Sequence, residues 1–184
     1  MKTKFFLVLC LISFAAIAQA QDRFYTKSAK IDFYSKAPLE DIEAKNKSAV
    51  CVLDTKTGAL QFSVLMKGFE FENEEMQEHY NENYVESDKY PKSEFKGAII
   101  NNSEIKYNTP GTYTAKVKGM LTLHGVTKPV ETTGTIKVTG SGLQANSTFS
   151  LQPTDYNIKI PAIAKDKIAK SLKIVVDAKL DQLK

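Results

Sequence analysis

The stretch GMLTLHGVTKPV, residues 119–130, decides the fold because it joins strand alternation to the chemistry of a tight turn. Leu121 and Leu123 present one apolar face, since side chains two residues apart point to the same side of a strand. Gly125 then supplies a permissive backbone, and Pro129 removes one N–H where a ladder can spare it. The stretch therefore predicts a β-hairpin.

Similar alternation recurs along most of the chain and predicts an antiparallel sandwich or barrel. Turns rich in Asn, Gly and Pro, such as residues 139–142, separate the segments. We interpret the polar residues 40–48 as a connection, and a weak pattern at residues 162–169 as a short helical turn. The predicted strands are residues 29–33, 49–53, 60–66, 94–100, 112–124, 130–139, 142–151 and 172–180.

One segment, residues 73–84, has helical rather than strand periodicity. Asn73 is a suitable N-cap, and two glutamates follow in the first turn. Met76, Tyr80 and Tyr84 recur at every fourth position, which predicts one short helix with an apolar stripe. We expect this helix to act as a plug or lid over one end of the sheet.

The beginning of the chain has the layout of a secretory signal peptide. Lys2 and Lys4 precede an apolar run at residues 5–17, which ends in Ala-Gln-Ala. We therefore predict a signal peptide over residues 1–20 and a periplasmic or secreted protein. The remaining residues, 21–184, are predicted to form one domain, and the apolar run is too short to span a bilayer.

The charge pattern restricts the class of partner, and the cysteine content restricts the possible disulfide bonds. The formal net charge is +4, but the lysines are scattered along alternating strands rather than clustered with aromatic residues, which argues against a nucleic-acid partner. Cys51 is the one cysteine of the predicted domain and lies in an apolar run. It is interpreted as a small buried hydrophobic residue, so no internal disulfide is expected.

The sequence contains few residues suited to catalysis. Its two histidines are His79 in the predicted helix and His124 in the hairpin, and neither belongs to a metal-binding or nucleophile motif. Glu75 lies one turn before His79, but a solvated helix face is the favoured interpretation. His124 is expected to pack or hydrogen-bond within the hairpin. We therefore predict no enzymatic activity, no catalytic residue, no cofactor and no metal.

Three motifs carry a resemblance to one known family. GMLTLHGVTKPV resembles the LTIHGVTKPV-type hairpin of the YceI-like lipid/polyisoprenoid-binding family. MQEHYNENYVESDKYPKSEFKG, residues 76–97, resembles the helix of that family, its KYP turn and the following strand, which carries a phenylalanine at the position of Phe95. IAKSLKIVVDAKL, residues 168–180, is similar to its last strand.

The resemblance implies an all-β fold: an antiparallel, lipocalin-like β-barrel of about eight strands with one short helix capping or flanking it. It also implies export and an apolar tunnel for a long isoprenoid or fatty-acyl chain. From alternation alone, a packed core is the favoured interpretation of the apolar strand faces. If the barrel is hollow, we expect ligand contacts from six residues of these faces, namely Phe62, Phe95, Leu121, Leu123, Phe149 and Ile158.

Two hypotheses for function follow. The first is an exported protein that holds a long-chain amphiphile for carriage, storage or sequestration. The second is a solid-cored envelope stress or interaction module, which would contact another protein through a sheet edge or the Glu-rich helix. The expected partner in the first case is a lipid or isoprenoid ligand. The protein is not expected to span a membrane, and the sequence leaves a homodimer open.

Overall fold

The described part of the chain folds into nine strands and one short α-helix. The computed structural model describes residues 22–183, so the predicted signal peptide lies outside the described residues. The strands are β1 Arg23–Lys36, β2 Asp41–Asp54, β3 Ala59–Leu65, β4 Glu70–Phe71, β5 Lys92–Ile99, β6 Gly111–Leu123, β7 Val126–Val138, β8 Leu143–Leu151 and β9 Leu172–Gln182. Helix α1 spans Glu74–His79 and continues into a wider helical turn at Tyr80–Tyr84.

Eight of these strands close into an antiparallel barrel. The order around the barrel is β1, β2, β3, β5, β6, β7, β8 and β9, and β1 pairs with both β2 and β9. The two-residue strand β4 extends the sheet beside Ala44 and Lys45 of β2. Closure removes the unpaired edges that an open sheet would expose. The predicted barrel of about eight strands with one short helix is confirmed.

The hairpin of β6 and β7 turns on two residues with positive φ. His124 has φ 51° and Gly125 has φ 73°, the backbone of a two-residue turn whose twist matches that of the flanking strands. Pro129 lies inside β7 opposite Met120 of β6. Because β7 pairs with β8 only through Gly134–Val138, the strand has a single neighbour at Pro129 and can accommodate a residue without an N–H.

The interpretation of residues 40–48 as a connection is wrong. Residues 41–48 form the first half of β2, in which Ala44 and Asn46 are fully buried. The Asn46 amide donates to the Leu65 carbonyl at 3.0 Å and its Oδ1 accepts from the Ser48 N–H at 2.9 Å. A buried asparagine paired in this way replaces the apolar residue that alternation would require, so the strand pattern is hidden.

The α-helix is shorter than the predicted segment over which its apolar residues recur. Asn73 is confirmed as the N-cap, because its Oδ1 accepts from the N–H of Glu75 at 2.8 Å and of Met76 at 3.3 Å. The α-helical part ends at His79, and the wider turn that follows buries Tyr80. The weaker pattern further along the chain corresponds to one turn of 3₁₀-helix at Ala162–Ala164.

The end of the barrel that carries the β2–β3, β5–β6 and β7–β8 connections is filled, and we call it the closed end. The large apolar residues that fill the closed end are Leu53, Ile105, Val138, Leu143 and Leu180.

Cys51 is fully buried in β2, and burial raises the pKa of its thiol. No helix in residues 22–183 is long and apolar enough to span a membrane.

Asparagine side chains hold the β5–β6 connection across the closed end. The Asn101 amide donates to the Thr114 carbonyl at 3.1 Å, and its Oδ1 accepts from the Lys116 N–H at 2.8 Å. The amide of Asn102 reaches the Thr55 carbonyl in the β2–β3 turn at 2.8 Å. These bonds satisfy backbone groups that a loop packed over a barrel end would otherwise leave without partners.

Candidate functional site

The barrel encloses a cavity of about 800 Å³. Along β7 the cavity lining reaches Ile136, whereas Val138, two residues on and on the same face, belongs to the filled core. On β8, Ala145 lines the cavity, whereas Leu143 belongs to the filled core. The cavity therefore ends at the closed end and extends toward the other end, which we call the open end. Its volume lies within the range of about 300–1,000 Å³ that small-molecule sites occupy.

All six predicted ligand-binding residues line this cavity. Phe62, Phe95 and Leu121 lie side by side in the register of β3, β5 and β6. The interior is hollow above the filled closed end, which argues against the solid-cored alternative. Direct contact of the six residues with a ligand stays a prediction. They are Phe62, Phe95, Leu121, Leu123, Phe149 and Ile158.

Two facing glycines help to keep the cavity open beside Phe95. Gly97 and Gly119 are partners in the β5–β6 register. A Cβ atom at Gly97 would lie 2.7 Å from the Cζ of Phe95, and one at Gly119 would lie 2.6 Å from the same atom. The Phe95 ring therefore occupies the space over this glycine pair, against the wall. A side chain at either position would clash with the backbone of the paired strand as well as with the ring.

An aromatic cluster that the sequence did not reveal forms another part of the wall. Phe33, Phe69, Phe71 and Tyr80 contact one another with ring centroids 5.0–5.8 Å apart, in tilted and edge-on pairs. All four line the cavity, and burial raises the pKa of the Tyr80 hydroxyl. The alternation of Phe69, Glu70 and Phe71 was the available signal, but β4 holds only the last two of these residues and is too short to be recognised by periodicity.

The helical segment covers part of the cavity, as its stripe predicted. Met76, Tyr80 and Tyr84 all line the cavity from the segment between β4 and β5. Phe71 lies 5.0 Å from Tyr80 between ring centroids, and its backbone N–H donates to the side chain of Gln77 at 3.2 Å. The helix is therefore attached to the barrel by both aromatic packing and a hydrogen bond.

The open end has a rim of polar and charged residues. Residues 159–170, which follow β8, meet the β1–β2 turn there: the Leu39 N–H donates to the Asp166 carbonyl at 3.0 Å, and the Ala169 N–H donates to Ser35 Oγ at 2.8 Å. An apolar interior beneath a polar rim suits a molecule with an apolar tail and a polar head. The polar and charged residues at the mouth are Glu40, Asn73, Glu75, His79, Asn83 and Lys167.

His124 joins three segments near the open end. Its Nδ1 lies 3.0 Å from the Tyr156 carbonyl oxygen, and its Nε2 lies 2.7 Å from Glu86 Oε2. Both partners accept hydrogen bonds, so the doubly protonated ring is the form that makes both bonds. The Tyr90 ring packs edge-on against His124 with centroids 4.5 Å apart. His124 packs and hydrogen-bonds as expected, but its partners lie outside the hairpin rather than within it.

The contact with His124 also lowers the pKa of Glu86. The hydrogen bond from His124 holds the pKa of Glu86 below its ordinary value, with a further contribution from Lys89, whose Nζ lies 3.6 Å from Glu86 Oε1. His79, by contrast, is exposed on α1 at the mouth of the cavity. Within residues 22–183, no group of three or more His, Cys, Asp or Glu side chains could hold a metal ion.

Comparison with known protein families identifies one match over most of the chain. The model of the YceI-like domain matches residues 12–180. This range includes the hairpin of β6 and β7, the helical segment and all six predicted cavity residues. A comparison with curated proteins returned no match.

Solved structures of low sequence identity share the fold. A polyisoprenoid-binding domain from Saccharophagus degradans, implicated in plant cell wall breakdown, has a TM-score of 0.76 at 10% identity over 88% of this chain and 99% of that chain. BcnA of Burkholderia cenocepacia has a TM-score of 0.67 at 18% identity over 83% and 95%, respectively. A YceI protein of Campylobacter jejuni has a TM-score of 0.51 at 20% identity over 72% and 80%.

Proposed function

This chain belongs to the YceI-like domain family, and from its hollow barrel we propose that it binds an amphiphile with a long apolar tail. The tail lies in the cavity and the polar head lies at the open end. The observation that carries the proposal is the cavity of about 800 Å³ with apolar strand faces around it. The expected ligand is of the polyisoprenoid or fatty-acyl type.

The physics of apolar burial favours a long tail over a compact ligand. Each buried CH₂ group contributes about 0.8 kcal/mol, so affinity grows with tail length and needs few directed contacts. The Saccharophagus degradans domain, which shares the fold, is described as polyisoprenoid-binding. This supports an isoprenoid tail as one candidate. An elongated cavity that closes at one end also favours a ligand that enters tail first.

The biological role that we propose is carriage, storage or sequestration of this ligand after export. The predicted signal peptide supports a periplasmic or secreted location. Binding rather than catalysis is favoured by the position of the two histidines. His124 is held by Tyr156 and Glu86 in the barrel wall, and His79 stands on the rim of the mouth.

The proposal is tested on protein purified without detergent from its own host. Native mass spectrometry should show protein with an added mass, and extraction with organic solvent should release a molecule with a long apolar tail. If the purified protein carries nothing and takes up neither polyprenyl nor fatty-acyl chains added to it, the proposal is wrong.

A matched pair of variants locates the binding site in the cavity. Val117 lines the cavity from β6, whereas its neighbour Lys116 is exposed on the outer face of the same strand. Val117→Trp should fill the interior and reduce uptake of a fluorescent long-chain fatty acid by at least about tenfold, which corresponds to roughly two buried CH₂ groups. Lys116→Trp should leave uptake unchanged. Equal uptake by both variants would place the ligand outside the barrel.

A further inference from the structure

Two apolar side chains project into solvent at the open end. Ile163 is 91% exposed and Leu39 is 71% exposed, although both are large aliphatic residues. They belong to residues 159–170 and to the β1–β2 turn, which are joined by the hydrogen bond from the Leu39 N–H to the Asp166 carbonyl. Exposed apolar groups held on a fixed scaffold are typical of surfaces that contact an apolar phase.

One segment of the rim, residues 159–170, is basic. Residues 159–170 contain four lysines and one aspartate. Lys159, Lys165 and Lys170 are all exposed, so they are free to approach an anionic surface together with Ile163. Lysines around an exposed apolar side chain are the combination found in proteins that lie on anionic membranes, where each lysine near the surface adds to the attraction.

The rim also lies at the entrance of the cavity. Ile160, Ile163 and Ile168 line the mouth beside Lys167. A tail that leaves a bilayer at this point would therefore pass from one apolar environment to another without crossing water. This continuity links the exposed residues to the cavity rather than to an unrelated part of the surface.

We propose that the open end docks on the surface of an anionic phospholipid bilayer. In this complex Ile163 and Leu39 enter the boundary between head groups and acyl chains, and the lysines of residues 159–170 lie against lipid phosphates. The inference rests on the proposed function for the direction in which a lipid tail moves. The docking contact itself depends only on the rim.

The charge of the helical segment sets the orientation of the docked barrel. Glu74, Glu75 and Glu78 lie on α1, which borders the mouth together with residues 159–170 and the β1–β2 turn. An anionic surface repels these carboxylates, so the barrel tilts with residues 159–170 and the β1–β2 turn toward the bilayer. The helix then stays on the water side, where it can move away from the mouth.

The experiment measures sedimentation of the full chain with phosphatidylcholine vesicles that contain or lack phosphatidylglycerol. Wild-type protein should bind the anionic vesicles and lose binding as salt is added. Ile163→Ser should weaken binding by about tenfold, because one inserted aliphatic side chain is lost. Ile100→Ser is the matched control, since Ile100 is 63% exposed just after β5 at the closed end. It should leave binding unchanged.

A second comparison isolates the charge. Reversal of three of the four exposed lysines of residues 159–170 to glutamate should weaken vesicle binding by about a hundredfold. The control reverses three exposed lysines at the closed end, so that both variants have the same net charge. The rim set is Lys159, Lys165 and Lys170, and the control set is Lys56, Lys106 and Lys137.

Tail uptake from detergent-free solution is measured for each protein in parallel. If wild-type protein takes up tails but ignores anionic vesicles, or binds neutral vesicles as well as anionic ones, docking is refuted while the proposed function stands. Equal losses in the rim and control sets also refute docking through this rim. Vesicle binding that depends on the rim in a protein that takes up no tail supports docking and refutes the proposed function.

Discussion

At the scale of single residues, the contact between His124 and Glu86 joins two positions of unusual backbone geometry. His124 has φ 51° and Glu86 has φ 46°, and residues other than glycine are uncommon in this region. The 2.7 Å hydrogen bond between their side chains helps to hold both turns. Such a conformation persists where the surrounding contacts determine it, so the pair is a structural tie between the hairpin and the segment after α1.

Replacing His124 should therefore lower stability. His124→Gln cannot hold both the Tyr156 carbonyl and the Glu86 carboxylate with N–H donors in the same positions, so we expect the free energy of unfolding to fall by about 1–3 kcal/mol. Urea denaturation followed by circular dichroism measures the change. The matched control is His79→Gln, because His79 is exposed, and it should change stability by less than about 0.5 kcal/mol. Similar losses for both histidines would contradict the assignment.

The lowered pKa of Glu86 predicts a defined dependence on pH. Because the folded state lowers this pKa, the carboxylate contributes stability above its ordinary pKa of about 4.3, and this contribution is lost as pH falls through the folded value. The advantage of the wild-type protein over Glu86→Gln should therefore shrink as urea titrations are moved from pH 6 down to pH 3. An advantage that stays constant over this range would show that the charge of Glu86 contributes nothing.

At the scale of elements, α1 is the least self-sufficient part of the fold. A helix of six residues is not stable alone in water, so α1 depends on its cap and on packing through Tyr80. The Asn73 side chain accepts two of the free N–H groups at the start of the helix. Because the segment lines the cavity mouth, its local stability should influence how fast a ligand leaves.

Removing the cap tests this dependence. Asn73→Ala should cost about 1 kcal/mol and should speed hydrogen exchange of the α1 amides more than that of the barrel strands. Release of a bound fluorescent fatty acid should become faster in the same variant. Asn108→Ala, at an exposed position of the β5–β6 connection, serves as the control and should alter neither rate. Unchanged exchange in Asn73→Ala would mean that packing alone holds the helix.

The elements that the sequence revealed are those with undisturbed alternation. The hairpin around Gly125 and the cap at Asn73 were predicted from local chemistry, since turns and caps depend on near neighbours in the chain. The first half of β2 was missed because Asn46 is buried through a hydrogen bond to Leu65, a partner 19 residues away. The aromatic cluster around Tyr80 was missed for the same reason: its members meet only when β1, β4 and the helical segment are brought together.

At the scale of the whole molecule, the barrel divides its interior into a filled closed end and a hollow open end. Sequence periodicity separated an apolar from a polar face along most strands, but it predicted neither which face points inward nor this division, because both parts present the same types of apolar residue. The boundary depends on how much side-chain volume meets at each level of the barrel. On β5, Ile99 lies at this boundary, because its side chain is 2% exposed and still lines the cavity. Leu180 of β9 is 1% exposed and belongs to the filled core.

A cavity that ends at a fixed depth predicts a limit to useful tail length. Across a series of fatty acids, affinity should increase by about 0.8 kcal/mol per CH₂ and then level off where the tail reaches the closed end. Ile99→Ala deepens the cavity, so the levelling point should move to longer tails. Leu180→Ala is the control: both substitutions remove a buried side chain at a cost of about 2–5 kcal/mol, but only the first adjoins the cavity. Titration calorimetry across the series measures both variants. If their levelling points coincide, Ile99 does not set the depth, and tail length is limited elsewhere along the barrel.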